Sequence, residues 1–243
     1  MLIGRVRTAD GIRWVRRDGE RMPVIEDPFA ALAAGRAPQD AGSDAEGELL
    51  APCEPLLVVG IAQNGPEHHT PVQAWLKSPR TVIASGRTVR LRGDAGAPVA
   101  EGEIAVVIGR DTSGLTVENA HEYVLGVTAV NDLSSPDRGE FDPRNFESKS
   151  GEGYTPLGPW IDTDADIDDI VLTVAVDGAV VAQTGATALP SAIRACLAYV
   201  AAWTPLGAGD VIMTGAPHSQ APVQPGQTVT ITVGAVELRT PFI

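Results

Sequence analysis

The sequence of 243 residues carries a formal net charge of −13 at pH 7, with 44 % hydrophobic, 20 % charged and only 5 % aromatic residues. This composition is typical of a soluble globular protein with one large domain, or with a large and a small one. The negative charge argues against nucleic-acid binding, because such proteins need clustered cations to neutralise phosphates.

No apolar run reaches membrane-spanning length, and the N-terminal segment shows no hydrophobic signal region. Neither Cys53 nor Cys196 has the spacing of a metal or redox motif. We therefore expect two reduced thiols in a cytoplasmic protein.

The N-terminal part, residues 1–50, is predicted to form a small β-rich domain. The stretch 35–47 is rich in Gly, Pro, Asp and Ser, which is typical of a loop or linker. We therefore place the domain boundary near residue 50. The elements expected before it are strands over 2–8, 12–17 and 21–25, and a short helix over 28–34.

Residues 51–243 are predicted to form a second, larger β-rich domain. Asp177-Gly178 indicates a hairpin between two alternating strands. One strong helix is expected over 191–203, where apolar residues recur at helical spacing until Pro205. The other expected elements are strands over 56–62, 82–86, 88–91, 103–110, 124–132, 209–215, 227–233 and 235–243, and a short helix capped by Thr116.

Three carboxylates stand at two of these strands. Glu101 and Glu103 are two positions apart, so on a strand they project from one face, roughly 6.5 Å apart. Asp132 ends the run 124–132, and pairing of the two strands would bring the three together. Three hard oxygen ligands suit Mg²⁺ or Mn²⁺. The pattern is also compatible with solvent-facing acids on a half-exposed strand and a strand-ending turn residue.

Several other polar residues are candidates with an equally ordinary alternative. Lys149 and Lys77 could each hold a carboxylate or an enolate oxygen, or be solvated lysines. His68 lies in a Gly- and Pro-rich loop after a buried strand, where it could act as a general base or lie on the surface. Thr214 and Gly215 end a strand and could offer a hydroxyl and a backbone N–H to a ligand. No nucleotide-binding, zinc-protease or serine-hydrolase motif is present in the sequence.

Seven segments in order, from residue 48 to about 220, resemble the fumarylacetoacetate hydrolase family. They are ELLAPCEPLLVVGIAQN with a histidine four residues after Asn64, WLKSP, EGEIAVVIGR, EYVLGVTAVNDLS, KSGEGYTPLGPW, VDGAVVAQTGAT and PLGAGDVIMTGAP. The resemblance implies an α+β, β-rich fold: a mixed β-roll/sandwich catalytic domain (51–243) with a small N-terminal domain, assembled as a homodimer.

The resemblance also implies a chemistry. Members act on 2-oxo or β-diketo acids and hydrolyse a C–C bond, decarboxylate, or tautomerise an enol. Glu101, Glu103 and Asp132 would hold Mg²⁺ or Mn²⁺, and the metal-bound substrate would react through a stabilised enolate.

The remaining site residues follow from the same resemblance. Lys149 would neutralise the substrate oxyanion, and His68 would be the general base. Thr214 and Gly215 would contact the substrate carboxylate, with Lys77 as a further substrate-binding residue. No nucleic acid, membrane or nucleotide cofactor is implied.

The chain departs from the family pattern at five positions around the substrate. Gly65 replaces a usual Tyr, and Pro71 stands where a Glu often forms a dyad with the catalytic histidine. Pro136 and Gly139 stand where the family places Arg and Gln, and Ala216 replaces a Thr. The expected metal site is intact, whereas the substrate pocket is altered.

Two classes of function follow, besides a purely structural β-rich domain without metal. The first is a metal-dependent enzyme acting on an oxoacid. Isomerisation or decarboxylation ranks above hydrolysis within it, because hydrolysis also needs the water-activating dyad. The second is a catalytically weakened homologue that serves as a metal- or ligand-binding protein.

Overall fold

The computed structural model describes residues 1–63, 72–142 and 144–243. The helices of these residues are α1 (Pro28–Ala33) and α2 (Ile193–Trp203), and neither is long and apolar enough to cross a membrane. The β-rich α+β architecture predicted from the sequence is confirmed. The strands are β1 (Leu2–Thr8), β2 (Gly11–Arg16), β3 (Pro23–Ile25), β4 (Asp40–Asp44), β5 (Glu48–Leu49), β6 (Val58–Ile61), β7 (Ala74–Lys77), β8 (Val82–Ala84), β9 (Val99–Ile108), β10 (Val124–Asn131), β11 (Thr155–Leu157), β12 (Ile161–Asp162), β13 (Val171–Val176), β14 (Ala179–Gly185), β15 (Val211–Met213), β16 (Gln220–Pro222), β17 (Thr228–Val233) and β18 (Val236–Pro241).

The larger sheet curls into a roll. Its central path runs β7-β6-β15-β9-β10, and β11 and β8 continue it beyond β10. β7 and β8 lie at opposite ends of this pairing order but are separated by only residues 78–81 in the chain. The sheet must therefore bend round until its two ends meet. A hydrogen bond of 2.6 Å between the hydroxyls of Thr81 and Thr155 links β11 to the segment before β8.

The N-terminal strands join the same sheet. β1 pairs antiparallel with β12, and β2, β3 and β4 follow outward from β1. Ile3 and Ile25 belong to one buried cluster with Val58, Val107 and Val211 of the roll. The N-terminal part therefore shares a hydrophobic core with the rest, and the division into domains at residue 50 stays a prediction.

A smaller sheet of order β14-β13-β17-β18 covers the outer face of the roll. The two sheets approach closely at Gly102 of β9, where a Cβ would overlap Val174 and press against Ile231. A side chain there would force the sheets apart. The other face of β9 is thereby left for the inside of the roll, where the candidate site lies.

Three local predictions are confirmed. Helix α1 begins where Asp27 accepts a hydrogen bond of 2.8 Å from the Phe29 N–H, with Pro28 in the first turn. Helix α2 buries the expected apolar face and ends at Trp203. β13 and β14 form the hairpin around Asp177-Gly178.

Other local predictions are wrong. The stretch predicted as a loop or linker contains β4, an exposed edge strand held by ion pairs from Arg16 to Asp40 and from Arg21 to Asp44. The composition of this stretch gives no strand signal. The strand is stabilised by β3 and by the two arginines, which local composition does not reveal. The helix predicted from Thr116 is a 3₁₀ turn over Ala120–Tyr123. The strand predicted over 88–91 forms only one isolated bridge, from Val89.

Candidate metal centre

The register of β9 and β10 brings the three predicted carboxylates together. Glu103 lies opposite Val130, and the Asp132 N–H donates to the Glu101 carbonyl at 2.9 Å. Opposed residues of an antiparallel pair share a face, so the three side chains point into the roll. Glu101, Glu103 and Asp132 are 3 %, 2 % and 1 % exposed, and one oxygen of each lies within 4.8 Å of the others.

Two lysines neutralise part of this charge. The Lys149 ammonium lies 2.6 Å from Oε2 of Glu101 and 2.7 Å from Oδ2 of Asp132. Lys77 reaches across from β7, ion-pairs with Oδ1 of Asp132 and donates to the Tyr154 carbonyl at 2.7 Å. Although burial opposes the charge, the surrounding carboxylates raise the pKa of Lys149 above its ordinary value. Among the described residues, three carboxylates thus face two ammonium groups.

Glu103 is the carboxylate without a cation of its own in the described part of the chain. Its Oε2 accepts a hydrogen bond of 2.7 Å from the Gly215 N–H. Burial, and then the negative charges of Asp132 and Glu101, raise the pKa of Glu103 well above the usual range. By contrast, Glu101 also accepts hydrogen bonds from Ser134 and Gln220. Among the described residues, Glu103 is therefore the carboxylate whose ionised form has no cation of its own, in a buried setting.

This donor set fits a hard divalent cation. Mg²⁺ and Mn²⁺ prefer carboxylate oxygens, and a buried excess of negative charge is costly unless a cation balances it. Glu101, Glu103 and Asp132 have the chemistry and the proximity to hold such an ion.

Comparisons with known proteins identify the family of the chain. The model of the "Fumarylacetoacetate (FAA) hydrolase C-terminal" family matches residues 46–242. The chain belongs to the fumarylacetoacetate hydrolase family. It is a member of an enzyme family and has a buried acidic triad consistent with a metal site.

Three similar proteins cover 97 % or more of the chain. "Protein Rv2993c" of Mycobacterium tuberculosis is 30 % identical over 256 residues, which cover 97 % of this chain and 95 % of that protein. The crystal structure of 5-carboxymethyl-2-hydroxymuconate delta-isomerase from Mycobacterium smegmatis is similar at 31 % identity and a TM-score of 0.91, covering 100 % of this chain and 99 % of that one. The 2-hydroxyhepta-2,4-diene-1,7-dioate isomerase of Mycobacterium marinum has 29 % identity and a TM-score of 0.91, covering 100 % and 98 %.

Thr214 and Gly215, which are predicted to bind substrate, already have hydrogen-bond partners within the protein. The Thr214 hydroxyl is buried and donates to the Ile104 carbonyl at 2.9 Å, and the Gly215 N–H is directed at Glu103. Arg138, which is adjacent to the altered positions, pairs with Glu147 of the same loop. The roles of Thr214 and Gly215 in binding substrate stay predictions.

Some predicted positions cannot be placed. His68, with Gly65 and Pro71, lies outside the residues that the structure describes. Pro136 opens the 3₁₀ turn Pro136–Arg138, which Gly139 follows, and Ala216 is fully buried next to Gly215, whose N–H donates to Glu103.

Sequence reasoning missed three residues that contact the site. Trp75 lies beside Lys149, and its position two residues before Lys77 on β7 was an available signal, because the two share a face. Ser134 and Gln220 donate to Glu101. Neither residue carries a sequence signal of its own. Gln220 is brought to Glu101 by the pairing of β16 with β9, and Ser134 is brought there by the segment that follows β10.

Proposed function

We propose that this protein is a Mg²⁺- or Mn²⁺-dependent enzyme acting on a 2-oxo (enol) acid or a 1,3-dicarbonyl acid. The observation that carries this proposal is the buried cluster of Glu101, Glu103 and Asp132, in which three carboxyl groups face two ammonium groups among the described residues. Such an imbalance is unfavourable for folding and is explained by a requirement for a bound cation.

The three carboxylates would hold the ion. When bound, a divalent ion acts as a Lewis acid that polarises the oxygens of a 2-oxo acid. Lys149 carries its ammonium into the same cluster, where it would stabilise negative charge developing on the enol oxygen. Lys77 has its ammonium enclosed by Asp132 and by two backbone carbonyls, so its geometry favours fixing Asp132 over reaching a substrate.

The remaining roles rest on the resemblance. His68 would move the proton between carbon and oxygen of the substrate. Thr214 and Gly215 would orient the substrate carboxylate beside Glu103. We also propose that the chain forms a homodimer and that its ligand is a small-molecule oxoacid.

Isomerisation or decarboxylation is favoured over hydrolysis. Two isomerases match this chain over its whole length at 31 % and 29 % identity. Pro71 stands where a dyad carboxylate would help to activate water, and enolisation has no need of that group. The alternative is a catalytically weakened homologue that retains the metal site for ligand binding, for which the altered positions Pro136 and Gly139 argue.

A substrate panel tests the proposal. The purified protein is assayed with Mg²⁺ or Mn²⁺, and with EDTA, against oxaloacetate, an acylpyruvate and a 2-hydroxymuconate-type enol diacid. We expect turnover of at least one that EDTA and Glu103→Gln both abolish, whereas the exposed-site control Glu20→Gln stays active. Turnover that resists EDTA would refute the metal-dependent mechanism. Divalent-ion binding without any turnover would favour the weakened homologue.

A further inference from the structure

Trp75 occupies a distinctive place at the candidate site. It belongs to β7, directly opposite Gly60 of β6. A Cβ at Gly60 would overlap the indole, so the ring lies against the backbone there. Trp75 also packs against the apolar cluster on the inner face of the roll. The absence of a side chain at Gly60 thus provides the space in which the ring lies.

The same ring contacts the Lys149 ammonium. Lys149 Nζ lies 5.5 Å from the centre of the Trp75 ring, within the distance at which the face of an indole attracts a cation. The Lys149 side chain is 11 % exposed, so water screens this contact only weakly. The ammonium is therefore bounded by Glu101, by Asp132 and by the indole ring.

Fewer contacts fix the position of the Lys149 ammonium than that of Lys77. Lys77 lies on a strand and has three oxygen partners. Lys149 lies outside the strands, in the loop that follows the 3₁₀ turn at Pro136, and its backbone N–H bonds only locally to Asn145. Its two carboxylate partners are the same groups that would hold a divalent ion. An aromatic face attracts a cation but offers no oxygen ligand, so the ion would not compete for it.

We propose that Trp75 is a positioning residue that holds the Lys149 ammonium at the reacting oxygen while Glu101 and Asp132 bind the divalent ion. The proposal rests on the proposed function for its consequence in catalysis. The contact between ring and ammonium stands independently of it. Gly60 is part of the same arrangement, because only a residue without Cβ leaves room for the ring.

A double-mutant cycle tests the contact without any catalysis. Trp75→Leu, Lys149→Met and the double variant are unfolded in urea in the presence of EDTA. We expect Trp75→Leu to change the unfolding equilibrium constant about three- to tenfold more when Lys149 is present than when it is Met. A purely structural role for Trp75 would give the same change in both backgrounds. Coupling within about twofold of unity would overturn the proposal.

Kinetics test the positioning role. We expect Trp75→Leu to lower kcat by about three- to tenfold and to leave KM within about twofold, with Trp75→Phe recovering most of the loss. Gly60→Ala should lower kcat in the same way, because its methyl group displaces the ring. Trp203→Leu is the matched control, since Trp203 is 77 % exposed at the end of α2.

The two measurements separate two failures. Coupling in the urea cycle, without turnover of any panel substrate, would reject the proposed function and leave the contact between Trp75 and Lys149 established. An unchanged kcat in an active Trp75→Leu enzyme would reject the positioning role itself.

Discussion

Glu103→Gln is the substitution that most directly tests the charge balance of the site. The carboxylate of Glu103 has an oxygen within 4.8 Å of oxygens of both Glu101 and Asp132. At an effective dielectric constant of about 20, two like charges at that separation repel by about 3.5 kcal/mol. Glutamine keeps the side-chain oxygen that accepts from the Gly215 N–H, so the substitution removes charge while keeping the hydrogen bond.

The expected gain is smaller than the summed repulsion. Lys149 offsets part of it, and Glu103 can relieve the rest by binding a proton, since its pKa is raised. Protonating a carboxyl at pH 7 costs at most about 3.7 kcal/mol relative to its ordinary pKa, which limits the penalty. We therefore expect Glu103→Gln to be about 1–3 kcal/mol more stable than the natural sequence in EDTA at pH 7.

The measurement is urea unfolding with EDTA or with excess Mg²⁺. The natural protein should gain stability with Mg²⁺, by about 2.7 kcal/mol at 100 times the Kd, and Glu103→Gln should gain little. Because the pKa of Glu103 is raised in the folded state, the natural protein loses folding stability as the pH rises above about 4.5. The stability advantage of Glu103→Gln over the natural protein in EDTA should therefore grow from pH 5 to pH 8. Glu20→Gln, on the surface, should show neither effect. A variant less stable than the natural protein in EDTA would refute the charge argument.

Three further predictions address catalysis, packing and thiol chemistry. Lys149→Met removes the ammonium proposed to stabilise the enol oxygen, so kcat should fall by about 100-fold or more in steady-state assays; an unchanged kcat would contradict that role. Thr240→Val removes a buried hydroxyl that has no protein partner in the described residues, and should be neutral or raise the free energy of unfolding by up to about 1 kcal/mol. Thr155→Val, its matched control, loses the hydrogen bond to Thr81 and should lower that free energy by about 1 kcal/mol; equal effects in urea unfolding would refute the distinction. Burial raises the pKa of Cys53 to about 12 and that of Cys196 to about 11. At pH 8 neither thiol should therefore react with Ellman's reagent until urea is added. Rapid reaction of the folded protein would show that one thiol is accessible.

Much of the candidate site could be predicted from local pattern. Alternation along a strand places Glu101 and Glu103 on one face whatever the rest of the fold does. The strand predicted over 124–132 is β10 (Val124–Asn131), which Asp132 directly follows, and the turn at Asp177-Gly178 forms the predicted hairpin. These features depend on periodicity and turn chemistry, which a few neighbouring residues determine.

Other features depend on partners far apart in the chain. The strand β4 forms in a sequence without strand propensity, because β3 and two arginines hold it. Lys77 reaches Asp132 only because the sheet closes into a roll, which no local pattern specifies.

The sequence by itself determined which residue types the site contains and which face of each strand carries them, because side-chain direction follows from the strand period. Only the tertiary structure decided how their charges balance. The pairing of Lys149 with Glu101 and Asp132, the isolation of Glu103 and the contact of Trp75 with Lys149 arise from strand register and core packing. Register and packing minimise free energy over the whole chain, so the electrostatics of the site emerge only when distant segments meet.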